Sequence, residues 1–187
     1  MAAVERTVAA TSVRSDAAIV AFAVVSLVWI GALLGVSFLA TPVKFLAPTL
    51  TLPVALDVGR QTFHWFNRVE ILLAAAALAA AVAHERPGPL GGARDGAAAP
   101  GDERSAPDVP YATLLAAFLL GAVALQALWL LPTLDARVEM IIQGGMPPPS
   151  ALHDVYVVVE ATKLAALVGA GWLGIAALRG GAAHVDR

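Results

Sequence analysis

Apolar residues gather into four blocks along the chain, and every one of the 12 prolines falls outside them. The first block, Ala17 to Ala40, contains no ionisable residue. At about 1.5 Å per helical residue it is long enough to cross a hydrocarbon core of roughly 30 Å. Ser15-Asp16 before it are helix-start residues, and Thr41-Pro42 after it is the predicted stop. The second block centres on Ile71–Ala83, which alone is too short to cross. Its helix is therefore predicted to begin near Thr62 and to carry Arg68 and Glu70 into the bilayer or to its edge. Tyr111–Leu131 forms an uncharged third span, and a fourth covers about Val155–Leu178 with Glu160 and Lys163 inside it. The pattern predicts an all-α membrane protein, a bundle of four transmembrane helices.

The remaining stretches divide the chain around these spans. Residues 1–16 form an N-terminal segment, 17–84 a first helical hairpin, 85–110 a linker, 111–179 a second hairpin and 180–187 a C-terminal tail. The linker is rich in Pro, Gly, Ala and charge and has no periodic apolar face, which predicts a flexible connection. The tail is expected to fray. The first span reads as an uncleaved helix, because its apolar stretch exceeds the roughly 7–15 residues of a signal-peptide core. The two hairpins also look like copies of each other. At an offset of 90, Gly31-Ala32 meets Gly121-Ala122, Pro42 meets Pro132, and Val69-Glu70 meets Val159-Glu160. Each hairpin holds two spans, so such copies would share one orientation, a parallel repeat about an axis along the membrane normal.

Composition narrows the chemistry. Charged residues make up 14% of the chain, the formal net charge is −2, and there is no cysteine. A soluble domain carries about 25% charged residues. Disulfide scaffolds, thiol enzymes and cysteine-ligated metal sites are excluded, and a near-neutral chain has no electrostatic footprint for nucleic acid. The predicted partner is the lipid bilayer. There is no Gly-rich phosphate loop, no nucleophile elbow and no nucleotide motif, so a soluble-type enzyme is not expected. An even number of spans puts both termini on one side. Seven arginines there (Arg6, Arg14, Arg86, Arg94, Arg104, Arg179, Arg187) face four cations opposite (Lys44, Arg60, Arg68, Arg137), which favours cytoplasmic termini.

Candidate chemistry follows from the cost of ionisable groups in lipid. A charge at a helix centre costs roughly 2.5–3.5 kcal/mol on insertion scales, so such residues turn to the bundle interior and find partners. On the fourth helix His153, Tyr156, Glu160 and Lys163 share one face, continued by Leu167; on the second, Arg60, His64, Asn67 and Glu70 do the same. Two such stripes predict a polar pocket between the second and fourth helices that binds or passes a small ligand or ion. Its candidate residues are Glu70, Asn67, Tyr156, Glu160 and Lys163. Glu160 and Lys163 are spaced to pair on their own helix, and Glu70 is expected to find a partner across the bundle, Lys163 among the choices. Arg68 is expected to snorkel to the interface, and Gln126 to bond to a neighbour. The alternative is a redox or metal protein holding haem b or copper through His64 and His153. Gly31-x-x-x-Gly35 on the first helix is a small-residue packing face, within the bundle or as the contact of a homo-oligomer. Trp65 is expected in an aromatic belt. The apolar, proline-bearing stretch Pro42–Gly59 is predicted to lie along the membrane surface as a broken or partly helical re-entry into the second helix, and Ser150 to cap the fourth helix.

Trp29-Ile30-Gly31 followed by Pro42, and Leu152-His153 opening the last helix, resemble small bacterial four-helix membrane families related to copper-resistance protein D. The resemblance implies a compact bundle in the bacterial inner (plasma) membrane. It also implies copper or haem handling, since relatives include a haem-binding protoporphyrinogen oxidase. His64 and His153 are the two residues that carry this implication here. The chain has no Met-rich or His-rich copper tract.

Overall fold

Long apolar runs rich in Ala and Leu, both strong helix formers, fold here as four helical spans with no strand among the described residues. The computed structural model describes the backbone of residues 2–85 and 110–185, and side chains over residues 17–85 and 110–176. Most of the predicted linker lies outside the described residues. The elements are α1 (Ala2–Leu33), a π-helical segment (Leu34–Ala40), α2 (Thr41–Val43), a short 3-10 turn (Lys44–Leu46), α3 (Leu52–Glu85), α4 (Tyr111–Leu125), a second π-helical segment (Gln126–Leu130), α5 (Leu131–Ile142) and α6 (Leu152–Val185). Four stretches are long and apolar enough to cross a membrane: Ala17–Leu46, Leu52–Glu85, Tyr111–Ile142 and Leu152–Ala176.

Several helix limits differ from the sequence pattern. Thr41-Pro42 does not stop the first span, and the third does not end at Leu131, because both spans stay helical through their proline. Proline lacks an N–H and its ring crowds the carbonyl four residues back. The turn before each proline absorbs this by widening to a π-helical pitch. The Thr41 N–H reaches back five residues to the Val36 carbonyl, which also accepts the Thr41 hydroxyl at 2.8 Å. The Leu131 N–H likewise reaches the Gln126 carbonyl. The two π segments end at Ala40 and Leu130, the same offset of 90 that relates the two hairpins. The second span starts ten residues before Thr62, at Leu52. Pro53 sits in its first turn, where a missing N–H costs nothing, and Pro42–Gly59 is broken helix, as its sequence suggests: helical to Leu46, non-helical over 47–51 and helical again from Leu52. At the chain's ends, α1 already begins at Ala2 and α6 runs on to Val185.

Helix α1 packs on α3 and on α6, and α4 packs on α3 and α6 in turn, so the spans close into a ring with α3 and α6 on its diagonal. Toward the terminal end, Phe22, Ala77, Ala81, Ala112, Ala116 and Ala170 make a core of small side chains. Here α1 and α6 come closest, since a Cβ added at Gly174 would stand 2.6 Å from the Ala23 Cβ. The Glu85 carboxylate closes the same end, accepting the Ala112 N–H at 2.8 Å and the Thr113 N–H at 3.2 Å. Those are donors that a helix N-terminus leaves without partners. A middle core joins Trp29, Leu33, Phe66, Leu119, Val123 and Leu167. Outward-facing positions carry large apolar side chains such as Leu72, Leu114, Leu128 and Trp172, the exterior expected where lipid replaces water.

Candidate functional site: a buried polar layer and a cavity beside it

All four spans send a polar group into one layer at mid-bundle. Glu70 (1% exposed), Gln126 (1%), Glu160 (1%) and Lys163 (0%) are enclosed together with the Trp29 side chain (0%). Lys163 has three N–H donors and three acceptors within reach: Glu70 Oε1 at 2.6 Å, Gln126 Oε1 at 2.6 Å and Glu160 Oε1 at 2.8 Å. Gln126 also donates from Nε2 to Glu160 Oε1 at 2.7 Å. The Trp29 indole N–H donates to Glu70 Oε1 at 2.9 Å, and the Ser37 hydroxyl to Glu160 Oε2 at 2.9 Å. Among the described residues no buried side-chain nitrogen or oxygen is left without a partner. Such closure is what a polar group far from water requires, because the alternative is an uncompensated desolvation cost.

The two polar stripes thus separate by depth. Glu70, Glu160 and Lys163 meet across the diagonal, and at this depth Trp29 and Gln126 occupy the space between α3 and α6. Asn67, one turn from Glu70, donates its amide to the Val123 carbonyl at 3.4 Å. Nearer the loops, the α3 stripe faces the third span. His64 Nε2 lies 2.5 Å from Asp135 Oδ2, and Arg60 bridges Asp57 at 2.6 Å and Glu139 at 2.8 Å. Tyr156 is buried edge-on against Phe63, ring centroids 5.0 Å apart. Arg68 lies over the exposed Trp65 ring, 4.5 Å from its centroid.

Open volume lies between the polar layer and the loops. One cavity of about 340 Å³ is walled by Ser37, Phe38, Thr41, Phe63, His153, Tyr156 and Glu160 among others, so one residue of the layer is also part of its wall. A neighbouring cavity of about 260 Å³ is bounded by Lys44, Arg60, Phe63, Leu134, Asp135, Arg137, His153 and Tyr156 among others. Glu70, Gln126 and Lys163 line neither.

His153 lines both cavities and His64 neither, and His64 Nε2 is already engaged by Asp135. Among the described residues no three His, Asp or Glu side chains group so as to hold a metal ion. The described residues therefore offer no three-ligand metal site, and of the two histidines only His153 borders the open volume. Gly31 and Gly35 also do not pack within the bundle, since a Cβ at either would meet nothing within 4 Å. The close helix approach belongs to Gly174 instead.

Two members of the layer escape a search for charged residues. Trp29 and Ser37 sit in the stretch Ala17–Ala40, which has no ionisable group. The signal for Trp29 was its depth, because an indole N–H far from water calls for an acceptor. Ser37 offered no comparable signal.

Residues 24–140 match a family described as Domain of unknown function (DUF4149). The chain belongs to that family. The DUF4149 segment spans Trp29, Ser37, Glu70 and Gln126 and stops short of Glu160 and Lys163 on α6. The match supports an uncharacterised membrane-type family and shows no link to copper-resistance protein D. No curated protein and no solved structure matches the chain.

Proposed function

We propose that this DUF4149 member is a polytopic integral membrane protein whose mid-bundle layer takes up and releases one small cation, a proton in the simplest case. The layer holds two carboxylates against one ammonium, so with all three ionised it carries one negative charge in the bilayer interior. One added proton or monovalent cation brings it to neutrality, which lipid favours. The observation that carries the reading is the position of Glu160. Glu160 is a wall residue of the open cavity beside Ser37 and Tyr156, and its carboxylate binds the same ammonium as Glu70, which borders neither cavity. Glu160 is then the point of exchange, and Lys163 couples it to Glu70.

Trp29 supplies the readout, since its indole N–H rests on Glu70. The full chain carrying W65F, W129F and W172F retains Trp29 as its single tryptophan and is reconstituted in lipid nanodiscs. Its emission should titrate within roughly pH 4 to 10, the interval that brackets carboxyl and ammonium groups. Glu70→Gln should abolish the transition and Glu160→Gln should displace it. Emission flat across that interval in the unsubstituted layer would overturn the reading.

A further inference from the structure

The cavity nearest the loops has a chemistry of its own. Most of its wall is apolar, with Phe45, Leu56, Phe63, Leu131, Leu134 and Ile141 around it. Lys44 stands at its edge with its ammonium 5.1 Å from the Phe45 ring centre and 6.0 Å from that of Phe63. No carboxylate pairs with Lys44 among the described residues. Arg137, also on the wall, is held only by the Pro148 carbonyl, a neutral acceptor at 2.6 Å. Arg60 is paired with Asp57 and Glu139, and Asp135, the sole carboxylate on the wall, is bonded to the His64 ring. The site thus has an oily interior and two cations without counter-charge.

The geometry points to an amphiphile with an anionic head as the occupant: an acyl chain along the apolar wall and a carboxylate or phosphate between Lys44 and Arg137. Charge complementarity selects this class. A neutral lipid leaves both cations unmatched, and a small hydrophilic anion leaves the apolar wall uncovered. A head of this kind replaces ring faces and a carbonyl with charge-assisted bonds, which are about twice as strong as neutral ones. Gly59 fixes where the ammonium rests, because a Cβ there would stand 2.2 Å from Lys44 Nζ. That atom is the far end of a mobile side chain, so Gly59→Ala moves the ammonium without disturbing the helix. The inference uses none of Glu70, Glu160 or Lys163, and it stands or falls apart from the cation reading above.

Two photoreactive probes on the full chain in phosphatidylcholine nanodiscs test it and separate the sources of the head. One is a diazirine-bearing palmitate, the other a phosphatidylglycerol with the same diazirine chain. At least one should label peptides containing Leu131, Leu134 or Ile141, and oleate should compete while oleyl alcohol does not. Lys44→Gln and Gly59→Ala should each cut labelling by about tenfold, the loss of one charge-assisted contact. Lys44→Arg should preserve it, with size-exclusion profiles confirming folded protein throughout. Capture of palmitate alone assigns a free fatty acid, and capture of phosphatidylglycerol alone assigns a phospholipid head. Labelling by neither probe, equal competition by oleyl alcohol, or labelling indifferent to Lys44→Gln and Gly59→Ala in folded protein would overturn it.

Discussion

The polar layer at mid-bundle and the loop-end region beside it use similar residues to opposite ends. In the layer, Lys163 spends all three donors on Glu70, Gln126 and Glu160, and nothing buried there lacks a partner. At the loop end, Lys44 has ring faces and open volume in place of carboxylates. Depth accounts for the contrast. A charge enclosed by four helices has no water to fall back on, whereas one near the membrane surface tolerates incomplete pairing. Closed networks hold a bundle together, and open ones leave room for a ligand. The layer should therefore respond to substitution as a structural unit, and the loop end as a set of separable contacts.

The sharpest way to break this comparison is Lys163→Met. It leaves two carboxylates and an amide oxygen enclosed without their common donor. Removing one partner from a buried ion pair costs about 3–5 kcal/mol. Denaturant unfolding of the full chain in detergent micelles should register a loss of that order. Adding Glu70→Gln and Glu160→Gln to Lys163→Met should recover a large part of it, because the stranded charges go with the change. A single variant that unfolds where the parent does would mean that the layer contributes nothing to the bundle.

Trp29→Phe probes the same layer more gently. The ring remains, but Glu70 loses its indole donor and keeps Lys163. A hydrogen bond to a charged group contributes about 1.5–3 kcal/mol, so the loss should be clear yet smaller than for Lys163→Met. The two effects should also fail to add, since both substitutions act on Glu70. Strict additivity in the double variant would mean that Trp29 and Lys163 do not share that carboxylate.

Much of this was legible in the chain itself, for stated physical reasons. Four long, predominantly apolar runs specify four spans, because backbone polar groups in lipid require helices. Glu70, Glu160 and Lys163 announced themselves by cost alone. The prolines misled, because a stop signal assumes that the helix cannot change pitch, and here it does so before both Pro42 and Pro132. The diagonal placement of α3 and α6 was out of reach, since helical periodicity gives a face but not its neighbour. For that reason the expected pocket took no account of Trp29 and Gln126, which occupy the space at the depth of Glu70 and Lys163, while open volume bordered by Phe63 of α3 and by His153 and Tyr156 of α6 lies nearer the loops. The open volume near the loops depends on Phe63, Leu134 and Tyr156 failing to close over one another, and no spacing rule encodes such a gap.

Arg60→Gln should give the smallest effect and probes the other side of the comparison. Arg60 ties Asp57 on its own helix to Glu139 on α5, at the exposed loop end of α3. Exposed ion pairs contribute little, because solvent screens them and two long side chains must be held still. The substitution should shift the unfolding midpoint less than Trp29→Phe does. At about 1 M salt, where the screening length falls to roughly 3 Å, the remaining difference should vanish. The layer variants should keep their full effect at that ionic strength, since no counterion reaches Lys163. If Arg60→Gln were instead as damaging as Trp29→Phe and indifferent to salt, the loop end would be as closed as the middle. Burial, not the mere presence of ion pairs, would then no longer distinguish the two regions.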